Sequence, residues 1–265
     1  MLFTRRHCFH VAFVGLAAAI CLQSPALQAQ SIENQHYLLA QYQDVSEDGI
    51  SALDDYFSEA LIPAANKMGI SPVGVFLAEA TDSAPQSMYL LLPAKDALIL
   101  TTFWTKVSSD DEFTKAAAKY LERDVDSPLF SRIRSELLVA FDCLPELTVP
   151  KQTAGNKKRL FELRTYESAT EGKGNRKVQM FNDGEVPIFI ESKIQPVFFG
   201  QAIVGDRVPN LTYLTVYDDS AERDAEWKTF MNLPSWKEFS KQPKYANTVS
   251  KIYKTDLKPR DYSQL

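Results

Sequence analysis

Residues 160–166 read Leu160-Phe161-Glu162-Leu163-Arg164-Thr165-Tyr166, and residues 37–42 read Tyr37-Leu38-Leu39-Ala40-Gln41-Tyr42. The first stretch alternates its side chains in the manner of a β-strand with two unlike faces. The second is its counterpart at an offset of 124 residues. That offset pairs Leu39 with Leu163, Tyr42 with Tyr166, Phe57 with Phe181, Pro63 with Pro187, Pro72 with Pro196 and Tyr89 with Tyr213. Aromatic and proline landmarks that recur at one spacing indicate an internal duplication. The polar, lysine-rich stretch 150–158 has the composition of the linker between the copies.

Outward from those two strands, each copy reads strand, helix, strand, strand, helix, strand. In copy one the strands are expected at 37–42, 72–77, 88–92 and 137–141, and in copy two at 160–166, 196–204, 211–217 and 250–256. The first helix of copy one takes Ser51 as its N-cap with Asp54 three residues on. Leu53, Phe57, Leu61 and Met68 follow near a helical period. Pro63 and Pro187 fall inside the first helix of each copy and should kink it, because proline removes a donor and crowds the preceding turn. Ser220 caps the second helix of copy two, which carries Trp227 and Phe230, with Trp236 and Phe239 beyond Pro234; copy one has Phe103, Trp104 and Phe113 in like places. The order βαββαβ is the ferredoxin-like split motif, so the expected fold is α+β, two tandem ferredoxin-like units. Their sheets either pack face to face or join edges into a barrel.

The N-terminus has a different character. Arg5 and Arg6 precede an uncharged run from Val11 to Leu22, then Ser24, Pro25 and the small residue Ala29. This is the pattern of a signal peptide, with cleavage after Ala29 or, alternatively, Ala26. The run is too short for a membrane span, which needs about 20 helical residues. Ile20 argues against lipidation at Cys21, and His7 and Cys8 fit a twin-arginine signal poorly. The expected division is a signal at 1–29, a first domain at 30–150 and a second at 151–265. The expected location is periplasmic or secreted, with no membrane anchor after processing.

Composition narrows the function. A chain that is 45% hydrophobic and 24% charged is globular, and a formal charge of −5 gives no basic field for nucleic acid. Beyond residue 29 the chain keeps one cysteine, Cys143, and one histidine, His36. A Ser-His-acid triad, a multi-histidine metal site and a Cys-His pair all lack the residues they need. His36 reads as a lone surface histidine rather than a haem ligand, and Cys143 as an inert core thiol. The glycine-bearing piece 171–174 reads as lacking the strand-to-helix context of a phosphate cradle. Asp218, Asp219, Glu222 and Asp224 suit a helix N-terminus better than a calcium loop. Trp104, Trp227 and Trp236 read as core. No metal and no cofactor are expected.

The second copy also resembles the NIPSNAP family. FELRTY at 161–166, Pro187, the run YLTVYDDSAERD at 213–224, Trp227, Trp236 and the tail LKPRDYSQL at 257–265 carry the resemblance. Copy one is more divergent, with Ala40 at the place of Arg164 and PAKDALIL in place of YDDSAERD. The resemblance implies a dimeric α/β-barrel fold, closed here within one chain by the two copies. It implies no particular reaction.

One polar set remains. Glu162, Arg164 and Tyr166 share a strand face, with Tyr213, Thr215 and Tyr217 aligned along another strand, while Phe161 and Leu163 take the opposite face. One reading is a solvent-facing Glu162–Arg164 pair with the tyrosines in the core. The other turns this face into the barrel, where Arg164 offers a fork to a carboxylate and Glu162, Tyr166 and Tyr213 complete a ligand site. The expected function is therefore a module binding a small organic ligand or a partner, with oligomers allowed. A cofactor-independent enzyme, oxygenase- or isomerase-like, is the alternative.

Overall fold

The computed structural model describes residues 33–82 and 84–265; the expected signal segment 1–29 lies outside them. The first half runs β1 (His36–Gln43), α1 (Glu47–Tyr56), a π-helical turn (Phe57–Leu61), α2 (Ile62–Lys67), β2 (Gly74–Ala78), β3 (Ser87–Ala94), α3 (Ala97–Thr101), α4 (Phe103–Val107), α5 (Asp111–Leu121) and β4 (Arg132–Ala140). The second runs β5 (Leu160–Glu167), α6 (Glu171–Met180), a π-helical turn (Phe181–Glu185), α7 (Val186–Glu191), β6 (Gln195–Val204), β7 (Asn210–Tyr217), α8 (Ser220–Asn232), α9 (Pro234–Phe239) and β8 (Lys251–Pro259).

The eight strands close one antiparallel barrel in the order β1-β3-β2-β8-β5-β7-β6-β4. Edges join, and faces do not stack: β2 meets β8 at one seam and β4 meets β6 at the other. Closure gives every strand a neighbour on both sides, the β2–β8 seam being short, with Phe76 opposite Pro259 and Leu77 opposite Lys258, and this limits edge pairing. The barrel interior is filled by Tyr37, Phe76, Leu91, Leu138, Phe161, Phe198 and Leu257, and the side chain of Leu265 joins them fully buried. Outside the barrel, helices of each half cover their own strands. Leu53, Phe57 and Leu61 pack on β1 and β3 in the first half, and Phe181, Phe189 and Phe230 on β5 and β7 in the second.

Local chemistry departs from the sequence reading at several points. Ser46, not Ser51, caps α1 by accepting from the Gly49 amide, and Asp219, not Ser220, caps α8 by accepting from Glu222. Pro63 and Pro187 each sit at the second residue of a helix, just after a π-helical turn. The widened turn relieves the crowding a proline imposes on the carbonyl before it. Residues 171–174 form the first turn of α6 directly after β5, so the strand-to-helix context is present there, and Gly174 packs on Ser168 and Pro209. Trp104 is 40% exposed rather than core. β4 begins at Arg132, five residues before the expected start, and Phe141 lies beyond its end. Tyr89 and Tyr213 are not structural equivalents: Tyr213 stands opposite Arg164, whereas Leu90 stands opposite Ala40.

The tail of the second half is fastened to the first. Arg260 forks onto Asp54 of α1, with its Nε at 2.9 Å, and the Tyr262 hydroxyl donates to the same carboxylate at 2.6 Å. Residues 263 and 264 then bond to the backbone of Val73 and Val75 beside β2.

Candidate functional site at the open end of the barrel

The four residues expected to line a ligand site do come together, but on the other face of the sheet. Glu162, Arg164, Tyr166 and Tyr213 point outward beneath the helices of the second half, and Phe161 and Leu163 fill the barrel. The alternation holds and the assignment of faces is reversed. In a closed barrel both faces of a strand are buried, so alternation alone does not say which one meets the helices. Neither does the pair face solvent. Arg164 Nε donates to Glu162 Oε2 at 2.6 Å, and the indole nitrogen of Trp227 donates to the same oxygen at 3.0 Å. The Arg164 guanidinium lies 3.5 Å from the centre of the Trp227 ring. The Tyr166 and Tyr213 hydroxyls bond each other at 2.8 Å, and burial pushes both phenols up.

A second buried pair adjoins this one. Lys177 donates to Glu185 at 2.6 Å and lies 4.6 Å from the Phe181 ring centre; burial raises the Glu185 carboxyl. The network is closely packed, and its guanidinium is already paired with Glu162. His36 bonds the Lys95 carbonyl at 3.2 Å from the start of β1. Cys143 is half-buried, with its thiol pushed up to about 11 by desolvation. Among the described residues no group of three or more His, Cys, Asp or Glu side chains is placed to hold a metal ion, and no helix is long and apolar enough to cross a membrane.

The polar cavity lies at the barrel end reached by the C-terminal ends of β1 and β5. It encloses about 50 Å3, with Leu39 and Leu163 as its floor. Charged groups reach it from two elements, Arg134 and Glu136 from β4 and Asp206 and Arg207 from the β6–β7 hairpin. Hydroxyl groups of Tyr89, Thr165 and Thr255 complete the wall. Arg134 pairs with Asp206, and Arg207 lies 4.0 Å over the Tyr253 ring with Glu167 at 3.9 Å. Glu136 accepts from Asn210 at 3.4 Å. Its carboxyl is raised because burial outweighs the neighbouring Arg207 and Arg134, and the Tyr89 phenol is raised by burial too.

Sequence patterning does not single out these residues, because it starts β4 at Leu137. The signal is present all the same: Arg134, Glu136, Leu138 and Ala140 fall on one strand face, and β4 directs them all inward, polar at the mouth and apolar behind.

The NIPSNAP family model matches residues 161–264, so the second half of the barrel is similar to a NIPSNAP domain. A solved structure of a candidate monooxygenase from Fusobacterium nucleatum subsp. nucleatum matches over 85% of this chain and 92% of its own, with 11% identity and a TM-score of 0.55. A second candidate monooxygenase, from Lactobacillus acidophilus, matches over 86% and 94%, with 12% identity and a TM-score of 0.52. At such identities these two share the fold. A NIPSNAP-like domain protein from Burkholderia xenovorans matches over 40% of this chain and 90% of its own, with 18% identity and a TM-score of 0.37. No curated protein matches the chain.

Proposed function

We propose that this chain, whose second half is similar to a NIPSNAP domain, is a small-ligand-binding module with its site in the polar cavity at the barrel end. One observation carries the reading. Two arginines and a carboxyl raised by burial converge on a cavity floored by Leu39 and Leu163, a concentration of charge against an apolar floor that suits a polar guest. Perturbed acids gathered in a cleft are the usual mark of a site. The buried Glu162–Arg164 network reads instead as a satisfied structural pair.

The test is protein purified from its native source and examined by native mass spectrometry for a retained small molecule. The wild type should carry one, and Arg134→Met should emerge empty with an unchanged circular dichroism spectrum. An empty wild type that also ignores a broad fragment library would sink the reading.

A cofactor-independent enzyme is the second reading. The raised carboxyl of Glu136 favours it, since a carboxylic acid moved toward neutrality is suited to proton transfer, and the two candidate monooxygenases share the fold. Turnover of the retained ligand that vanishes in Glu136→Gln, with binding kept, would establish it.

Two further expectations belong here. The halves are read as tandem ferredoxin-like repeats, supported by π-helical turns at 57–61 and 181–185 and by helices at 62–67 and 186–191, all at the offset of 124. Export is read from Arg5, Arg6 and the uncharged run 11–22, and sequencing of periplasmic or secreted material should find Gln30 at the mature N-terminus.

A further inference from the structure

We infer that the cavity takes a small organic acid, and that Asp206 on the β6–β7 hairpin is an internal stand-in which the acid's carboxylate displaces from Arg134. This rests on the binding reading and adds the chemical class of the ligand.

The planar fork of an arginine matches a carboxylate in two parallel hydrogen bonds, and one arm of Arg134 already pairs with the Asp206 carboxylate. Its partner is loosely owned. The Asp206 side chain is 47% exposed, against 28% for Arg134, so water readily receives the aspartate when another carboxylate arrives. Arg207 adds positive potential nearby without committing its fork, since its contacts are the Tyr253 face and a distant Glu167.

Glu136 has to be accommodated, because two carboxylates in one cavity repel. It faces Arg134 on its own strand, Arg207 from the hairpin, Asn210 from β7, Glu167 from β5 and Tyr89 from β3. Burial holds its carboxyl up, so an arriving anion favours the protonated form, which then donates a hydrogen bond to it. Binding should take up a proton and weaken as pH rises.

The size of the space sets the size of the acid. A volume of about 50 Å3 corresponds to roughly three to five waters, which suits a chain of a few heavy atoms. The hairpin reaches this close because of Gly205, where a Cβ would come within 2.8 Å of Glu136 Cγ. Releasing Asp206 frees the hairpin to give the ligand room.

The experiment is calorimetric titration of the whole protein with acetate, propionate, butyrate and the neutral isostere propionamide, in two buffers of different ionisation enthalpy. Propionate should bind with proton uptake, and propionamide should bind about tenfold more weakly or worse, having lost a charge-assisted bond. Asp206→Asn, checked for folding by circular dichroism, should tighten propionate several-fold by removing the competitor. Arg134→Lys, which keeps the charge and loses the fork, should weaken it. Propionate affinity unchanged or lowered in folded Asp206→Asn overturns the stand-in role. Equal binding of propionamide overturns the acid class and leaves the binding reading standing. Binding of none of these probes, nor of neutral fragments, overturns both.

Discussion

Four buried charges of the second half, Glu162, Arg164, Lys177 and Glu185, stand at the offset of 124 from Leu38, Ala40, Leu53 and Leu61. Positions 124 residues apart thus hold two ion pairs in one half and aliphatic side chains in the other. Breaking a buried pair strands one charge, at about 3–5 kcal/mol, whereas replacing both partners by apolar groups is often close to neutral. Arg164→Met should therefore cost about that much in urea denaturation, and Glu162→Leu with Arg164→Met should cost less than Arg164→Met alone. A double variant as unstable as the single one would mean that most of the loss comes from Trp227, left without its acceptor. Glu226 provides a second case. Burial, with Glu222 and Asp218 adding to it and Lys193 opposing, raises its carboxyl from 4.5 to about 7, and one of its oxygens has no hydrogen-bond partner. A raised carboxyl favours the folded state while protonated, so its contribution is complete below the unfolded value and fades as pH climbs through the folded one. Wild-type stability should fall relative to Glu226→Gln between about pH 5 and pH 7.5, and parallel curves for the two proteins would contradict it.

β4 shows how an element escapes a sequence reading. Arg132-Ile133-Arg134-Ser135-Glu136 carries three charges in five residues, which reads as loop because strands are expected to bury apolar side chains. At the mouth of a barrel the inward face meets water, so charge is compatible with strand there. The apolar strands β1, β5 and β7 are legible for the opposite reason, since their Leu, Phe and Tyr side chains pack on both faces. What neither pattern contains is which face looks inward, and that ambiguity moves Arg164 from the barrel to the helices. The close approach of β6 to β4 is likewise invisible in sequence until Gly200 is noticed opposite Ala140. A Cβ at Gly200 would come within 2.9 Å of the Leu138 Cβ, with Tyr37 at 3.5 Å. Gly200→Ala should thus destabilise by about 1–3 kcal/mol through overpacking, read as a lower denaturation midpoint with an unchanged m-value.

Sequence alone leaves open whether two sheets stack or join, because edge pairing depends on where the halves meet in space. The molecule joins them at β2–β8 and β4–β6, strands that occupy matching places in the order of each half. A chain cut to residues 151–265 exposes β6 and β8 as free edges, and β6 of one copy is shaped to take β8 of another. That fragment should run as a dimer in light scattering; a stable monomer would show that its edges are protected in some other way. Joining the halves covalently has an effect at the barrel mouth. Arg134 stands against Gln41 as Tyr253 stands against Thr165, and Glu136 against Leu39 as Thr255 against Leu163. Two identical subunits would repeat each of these groups around a dyad, arginine facing arginine and glutamate facing glutamate, so that a guest could lie either way round. Here the groups on β4 are ionic, and those on β8 are a phenol and a hydroxyl. The vestibule has a head and a tail, and that inequality is the condition for holding an unsymmetrical guest in one orientation rather than two.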